Sequence, residues 1–193
     1  MPAENPPLKT EWLADLERTH EALIQHVSLL PDKALLYSEG DKWNAGQQLQ
    51  HVYLCLLTIS QALASRKYIE ETFGRINRPT WNYDEVIARY KAGLSAGGKA
   101  PERFVPGPFE AAEKDQVIAN LRQVLRNIGT QLESYSEEDC DMLVLTHPFV
   151  GKLTIRELFF LMIEHATLHQ HSIERALSKV HHGTVKAQPP NIA

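Results

Sequence analysis

LTIRELFFLMIEHATLHQHSIERAL, residues 153–177, contains neither proline nor glycine and spaces Leu158, Met162, His165, His169, Ile173 and Leu177 at steps of three and four. That period is one face of an α-helix turned toward a core. Thr154 and Glu157 form a capping box at its start, and Leu153 and Leu158 hold the hydrophobic staple positions. Two of the stripe residues are histidines. Four residues apart on one face, His165 and His169 have Cβ atoms about 6 Å apart, within reach of a single metal ion. The same spacing also suits two hydrogen-bonded core histidines, so it needs company to carry weight.

Working outward, three further helices are predicted. From Thr10 to about Leu30, the residues Leu13, Leu16, Leu23, Val27 and Leu30 make an apolar line that includes His20. Asn44 caps the second helix, with Gln47 completing a capping box, and LQHVYLCLLTISQALASR continues it to about Arg66. This helix is apolar nearly all round, which implies burial on more than one side, and it carries His51. From about Ala112 to Ser134, Val117, Ile118, Leu121, Val124, Leu125, Ile128 and Leu132 face one way, with Arg and Gln opposite. The segment EEDCDMLVLTHPFVGK before the last helix reads as a loop.

Residues from about Lys67 to Glu110 are rich in glycine and proline, with a short helix predicted from Tyr83 to Leu94 and aromatic anchors at Trp81, Tyr83, Phe104 and Phe109. This long crossover, a plain packed connection or a lid, can carry the chain back so that the second and third helices run parallel. The expected architecture is all-α: one four-helix bundle spanning residues 1–193, up-down-down-up, with tails at about 1–9 and 183–193.

At 1.5 Å per residue, His51 lies about 10 Å from the start of its helix, while His169 and His165 lie about 15 to 20 Å from the far end of theirs. In this topology those two ends are neighbours. The three histidines can therefore share a level, and three imidazoles with an open position make a catalytic type of metal site. His20 comes to about 15 Å from the same end and is taken as a pocket-lining residue or one that orients a ligand from behind.

The remaining groups have plainer readings. His171 lies about 200 degrees from His169 and should face away, and Glu164 lies about 100 degrees from His165, more suited to a salt bridge than to coordination. His147, before Pro148, and the tail residues His181 and His182 are read as solvent or capping groups, and His26 as an edge residue. Cys55, one turn after His51, can point into the pocket, although an apolar core cysteine is the simpler reading. Trp43 anchors the start of its helix, and Phe159 and Phe160 are core. No serine-histidine-acid or paired-carboxylate arrangement is recognisable.

A net charge of -4 and a pI near 6.1, with 20 Lys and Arg scattered along the chain, argue against a nucleic-acid partner. MPAENPPLKTEW lacks the basic and then apolar pattern of a secretory signal, and no run approaches about eighteen apolar residues, so a cytoplasmic protein without membrane spans is expected. Cys55 and Cys140 form no spaced redox or metal motif.

KWNAGQQLQHV, with a tryptophan before the cap and a histidine seven residues into the helix, resembles the second-helix signature of the DinB-like superfamily. HPFVGKLTIRELFFLMIEHATLHQHSI resembles the last helix of that superfamily, where an HPxxG loop leads into HxxxH. The resemblance agrees in helix order over about the whole chain. It implies an up-down-down-up bundle, a homodimer, and a divalent metal, zinc or nickel, held here by His51, His165 and His169. It further implies a metal-dependent hydrolase, or a transferase that uses a low-molecular-weight thiol such as bacillithiol, mycothiol or glutathione. The alternative is a non-catalytic bundle with a structural or vestigial metal site, or none.

Overall fold

The computed structural model describes residues 7–183, with side chains through residue 179. Four long helices dominate it: α1 (Lys9–Ser28), α3 (Ala45–Leu63), α6 (Lys114–Leu132) and α8 (Ile155–Gly183). Shorter helices α2 (Asp32–Leu35), α4 (Arg66–Thr72), α5 (Tyr83–Ser95) and α7 (Glu137–Met142) punctuate the connections. Helix α1 packs on α8, α3 packs on α6, and α5 lies against α8. The chain is mostly helical, as expected. The tails expected at 1–9 and 183–193 fall largely outside the described residues, as do the side chains of His181 and His182. Lys9 itself starts α1, with its backbone N–H on Glu137 and its ammonium on the Leu132 and Tyr135 carbonyls.

One element departs from the all-helical expectation. Strands β1 (Val144–His147) and β2 (Gly151–Thr154) pair antiparallel where a loop was predicted. Their turn closes at Gly151, whose φ of 88° suits a residue without a Cβ. The hairpin buries Val144, Leu145, Leu153 and Thr154, so its inward side chains join the core rather than solvent.

The ends that matter for the site are set by local chemistry. Asn44 Oδ1 accepts from the Gln47 N–H at 2.8 Å and Gln47 Oε1 accepts from the Asn44 N–H at 3.1 Å, so α3 starts where the capping box places it. Glu157 returns the same favour at α8, accepting from the Thr154 N–H at 2.9 Å while Thr154 Oγ1 accepts from the Glu157 N–H at 3.2 Å. At Gly46 an added Cβ would sit 2.2 Å from the Phe109 ring, so the glycine is what lets the end of the crossover lie on α3. Phe159 and Phe160 are buried, and Phe159 stacks on Trp12 at 5.1 Å between ring centroids, joining α8 to α1.

Candidate metal centre

His51 on α3 and His165 and His169 on α8 come together. His165 Nε2 lies 3.1 Å from His51 Nε2 and 3.1 Å from His169 Nε2, and ligand atoms of all three lie within 4.8 Å of one another. Their rings stand edge to face or tilted, with centroids 4.5 to 5.0 Å apart. None is stacked, so nitrogens rather than ring faces are aimed at the common centre.

The opposite nitrogens explain why. His51 Nδ1–H donates to the Phe104 carbonyl at 2.7 Å, and His169 Nδ1–H donates to Gln48 Oε1 at 3.0 Å. Gln48 is itself fixed, because its Nε2 donates to the Trp43 carbonyl at 3.2 Å and leaves Oε1 as the acceptor. A proton on Nδ1 puts the lone pair on Nε2, the form that binds a metal. Burial pushes the His51 and His165 pKa values below the ordinary 6.5, and burial followed by the neighbouring His51 takes His169 down to about 3. All three rings are neutral at pH 7.

Three neutral lone pairs this close repel unless something positive lies between them. A proton left on His165 Nε2 would serve one neighbour well and strand its buried Nδ1 as an acceptor. Bonds of about 2.0 to 2.1 Å to a tetrahedral cation would set neighbouring nitrogens about 3.3 Å apart, close to the separations seen. The donor set and its outer hydrogen bonds therefore fit a metal ion.

The triad sits where two hollows meet. A chamber of about 930 Å³ reaches His51, His165 and His169 and is walled by Ile59, Phe73, Tyr90, Leu145 and Met162, with Arg103 its one charged side chain. A smaller cleft of about 390 Å³ touches His165 and His169 from a polar side lined by Asp41, Lys42, Gln48 and Ser172. The crossover builds much of the chamber: α5 brings Tyr90 to His165, ring centroids 6.5 Å apart, and a short 3-10 turn at Glu102–Phe104 brings both Arg103 and the carbonyl that holds His51.

Other histidines fall differently. His147 does not face solvent; it lines the chamber, packs against Tyr90 and Phe149, and is held by burial at a pKa of about 4. Its Nδ1 accepts from the Val150 N–H at 3.3 Å, which keeps its proton on Nε2. His20 is fully buried but lines neither hollow, which removes the pocket-lining half of its expected role. Its Nδ1–H donates to the Leu16 carbonyl at 2.8 Å, leaving Nε2 without a partner, and His165 Nδ1 is also buried without one. His26 is half-buried at the core edge, and His171 is exposed, as expected.

Cys55 does line the chamber, with Sγ 3.8 Å from His51 Nε2, and burial pushes its thiol up to about 12. Glu164 pairs with Lys91 at 2.8 Å and accepts from the Tyr83 hydroxyl at 3.3 Å, tying α8 to α5. Trp43 packs its ring 4.9 Å from that of His51. Sequence reading missed Gln48, Arg103 and Phe104. Gln48 had a signal, lying three residues before His51 on the same face, whereas the other two arrive by tertiary contact.

The fold and the histidine cluster define a helical protein with a candidate metal centre. A profile of the DinB superfamily matches residues 15–173, and the chain belongs to that family. No curated protein matches it in sequence. Among the described residues, no helix is long and apolar enough to cross a membrane.

Proposed function

We propose that the protein is a metal-dependent hydrolase acting on a small molecule, with the metal held by His51, His165 and His169. The observation that carries this reading is the convergence of three Nε2 atoms, two gaps of 3.1 Å, beside a large chamber. A divalent ion held there supplies Lewis acidity, polarising a carbonyl oxygen or a water brought beside it. The chain itself orients the donors through Phe104 and Gln48 and sets them beside largely apolar walls. His147, neutral with its proton on Nε2, is a hydrogen-bond donor rather than a base.

Hydrolysis is favoured over S-transfer by the lining. Bacillithiol and glutathione carry several charged groups, and the chamber offers them one charged side chain beside the uncharged polar groups of Thr58, Gln61 and Thr146. The test is to screen the metal-loaded protein against esters and amides, beside a thiol such as bacillithiol with a reactive electrophile. Turnover of an ester or amide without thiol is expected; turnover only with thiol overturns the hydrolase assignment.

The bundle is read as up-down-down-up. In support, Lys9 reaches the end of α6 at Leu132 and Lys114 at its start reaches the end of α1 at Leu30, so these two run antiparallel. Gln47 bonds Gly107 and Ser60 bonds Gln131, so α3 and α6 run parallel. Pro7 meets Arg156 and Trp12 meets Phe159, so α1 and α8 run parallel. From that last pair His20 is about 12 Å along α1 and His165 about 9 Å along α8, roughly level. His20 would then orient His165 from behind, with one buried water joining its Nε2 to the His165 Nδ1–H, both of which are buried without a partner in the chain. The homodimer implied by the family is tested by sedimentation.

A further inference from the structure

The chamber beside the triad has a charge imbalance that says what enters it. No aspartate, glutamate or lysine lines it, and its walls are mostly aliphatic and aromatic. Arg103 is its one charged side chain. Among the described residues Arg103 makes no ion pair or hydrogen bond; its guanidinium rests over the Phe104 ring, 4.7 Å from the centroid. It lines the chamber while still reaching solvent. The neighbouring Phe104 carbonyl holds His51 at 2.7 Å, so Arg103 is one residue along the chain from the group that orients the triad.

We infer that the substrate is an amphipathic monoanion, an aryl or alkyl body in the apolar chamber with one carboxylate-like group on Arg103. This deepens the hydrolase reading by naming the substrate class and rests on it only for the chemistry, not for the binding. An apolar body gains from leaving water against Ile59, Phe73, Leu145 and Met162. The anion end selects: a cationic analogue would bring like charge to Arg103 with no acid in the chamber lining to offset it. A sugar would leave many hydroxyls against the aliphatic and aromatic part of the wall, where only scattered groups such as Thr58, Gln61 and Thr146 can meet them.

The test uses three matched ligands, 4-phenylbutyrate, 4-phenylbutylamine and 4-phenylbutanol, titrated by calorimetry into the full chain as isolated and after chelation. The acid is expected to bind about tenfold or more tighter than the amine in both preparations, the worth of a charge-assisted hydrogen bond. Arg103→Gln should abolish that preference, leave 4-phenylbutanol binding unchanged and leave metal content unchanged. Equal binding of acid and amine, or a preference that survives Arg103→Gln, overturns the inference. So does a preference seen only in the metal-containing preparation, since the anion would then be held by the ion. Native protein without metal would sink the proposed hydrolase while leaving an Arg103-dependent preference intact.

Discussion

Helix α8 carries two buried polar clusters that solve the same problem in opposite ways. At its start Arg156 is almost fully buried, yet it donates to Asp141 at 2.5 Å and 3.0 Å, to Glu137 at 2.7 Å and to the Pro7 carbonyl. Beside it Glu157, 0% exposed, accepts a bidentate pair from Arg78 at 2.7 and 2.8 Å and backbone N–H groups of Trp81 and Thr154. Each charge there has its counter-charge within the chain. Two turns further on, the triad has no counter-charge at all: neutral nitrogens face one another, and His165 Nδ1 has no partner. A closed polar cluster ties elements together, while one that leaves lone pairs converging is prepared for something the chain does not itself supply.

The contrast can be broken from either end. Glu157→Gln should lower stability by about 3 to 5 kcal/mol, because Arg78 is left without its bidentate partner and the α8 cap is weakened. Urea unfolding measures it, and metal bound per folded molecule should stay the same. If metal is lost in proportion, the two clusters are not separable.

Acid should strike the imidazole side. Burial lowers His20 from 6.5 to about 4, so the unfolded chain binds this proton first. Stability is then fully present above pH 6.5 and falls as the pH drops toward 4, by about 3 kcal/mol for this residue. In metal-free protein, His20→Gln should flatten that limb of the stability curve. A limb that keeps its slope removes His20 from the account.

Gln48→Leu removes the acceptor that fixes His169 and should weaken metal binding about tenfold to a hundredfold by competition with a chelator, with the fold retained. Unchanged affinity would mean that His169 needs no such guide. The smallest effect is Thr154→Ala, which deletes one capping hydrogen bond and should cost about 1 kcal/mol without touching metal affinity.

Much of this was legible in the sequence because it is local. Capping boxes at Asn44 and Thr154 are read within four residues, and the structure starts α3 and α8 where they predict. His165 and His169 share a face by helical geometry alone. His51 was placed with them by counting rise along two helices, a cruder step that succeeded because both helices are long and uninterrupted. The rest depends on contacts remote in sequence. Strands of four residues alternate too briefly to be told from a loop, so the hairpin, and with it the inward position of His147, went unread. Short helices α4 and α7 hide for the same reason. Phe104 reaches His51 across 53 residues, and no local pattern announces a carbonyl bound for another helix.

The central claim is that three imidazoles from two helices hold one cation. Elemental analysis of the native protein, beside His169→Ala purified the same way, tests it most directly. The account predicts about one zinc or nickel per chain in the first and essentially none in the second, with the variant still folded. Metal-free native protein that retains its stability, or a variant that keeps the ion, would contradict it.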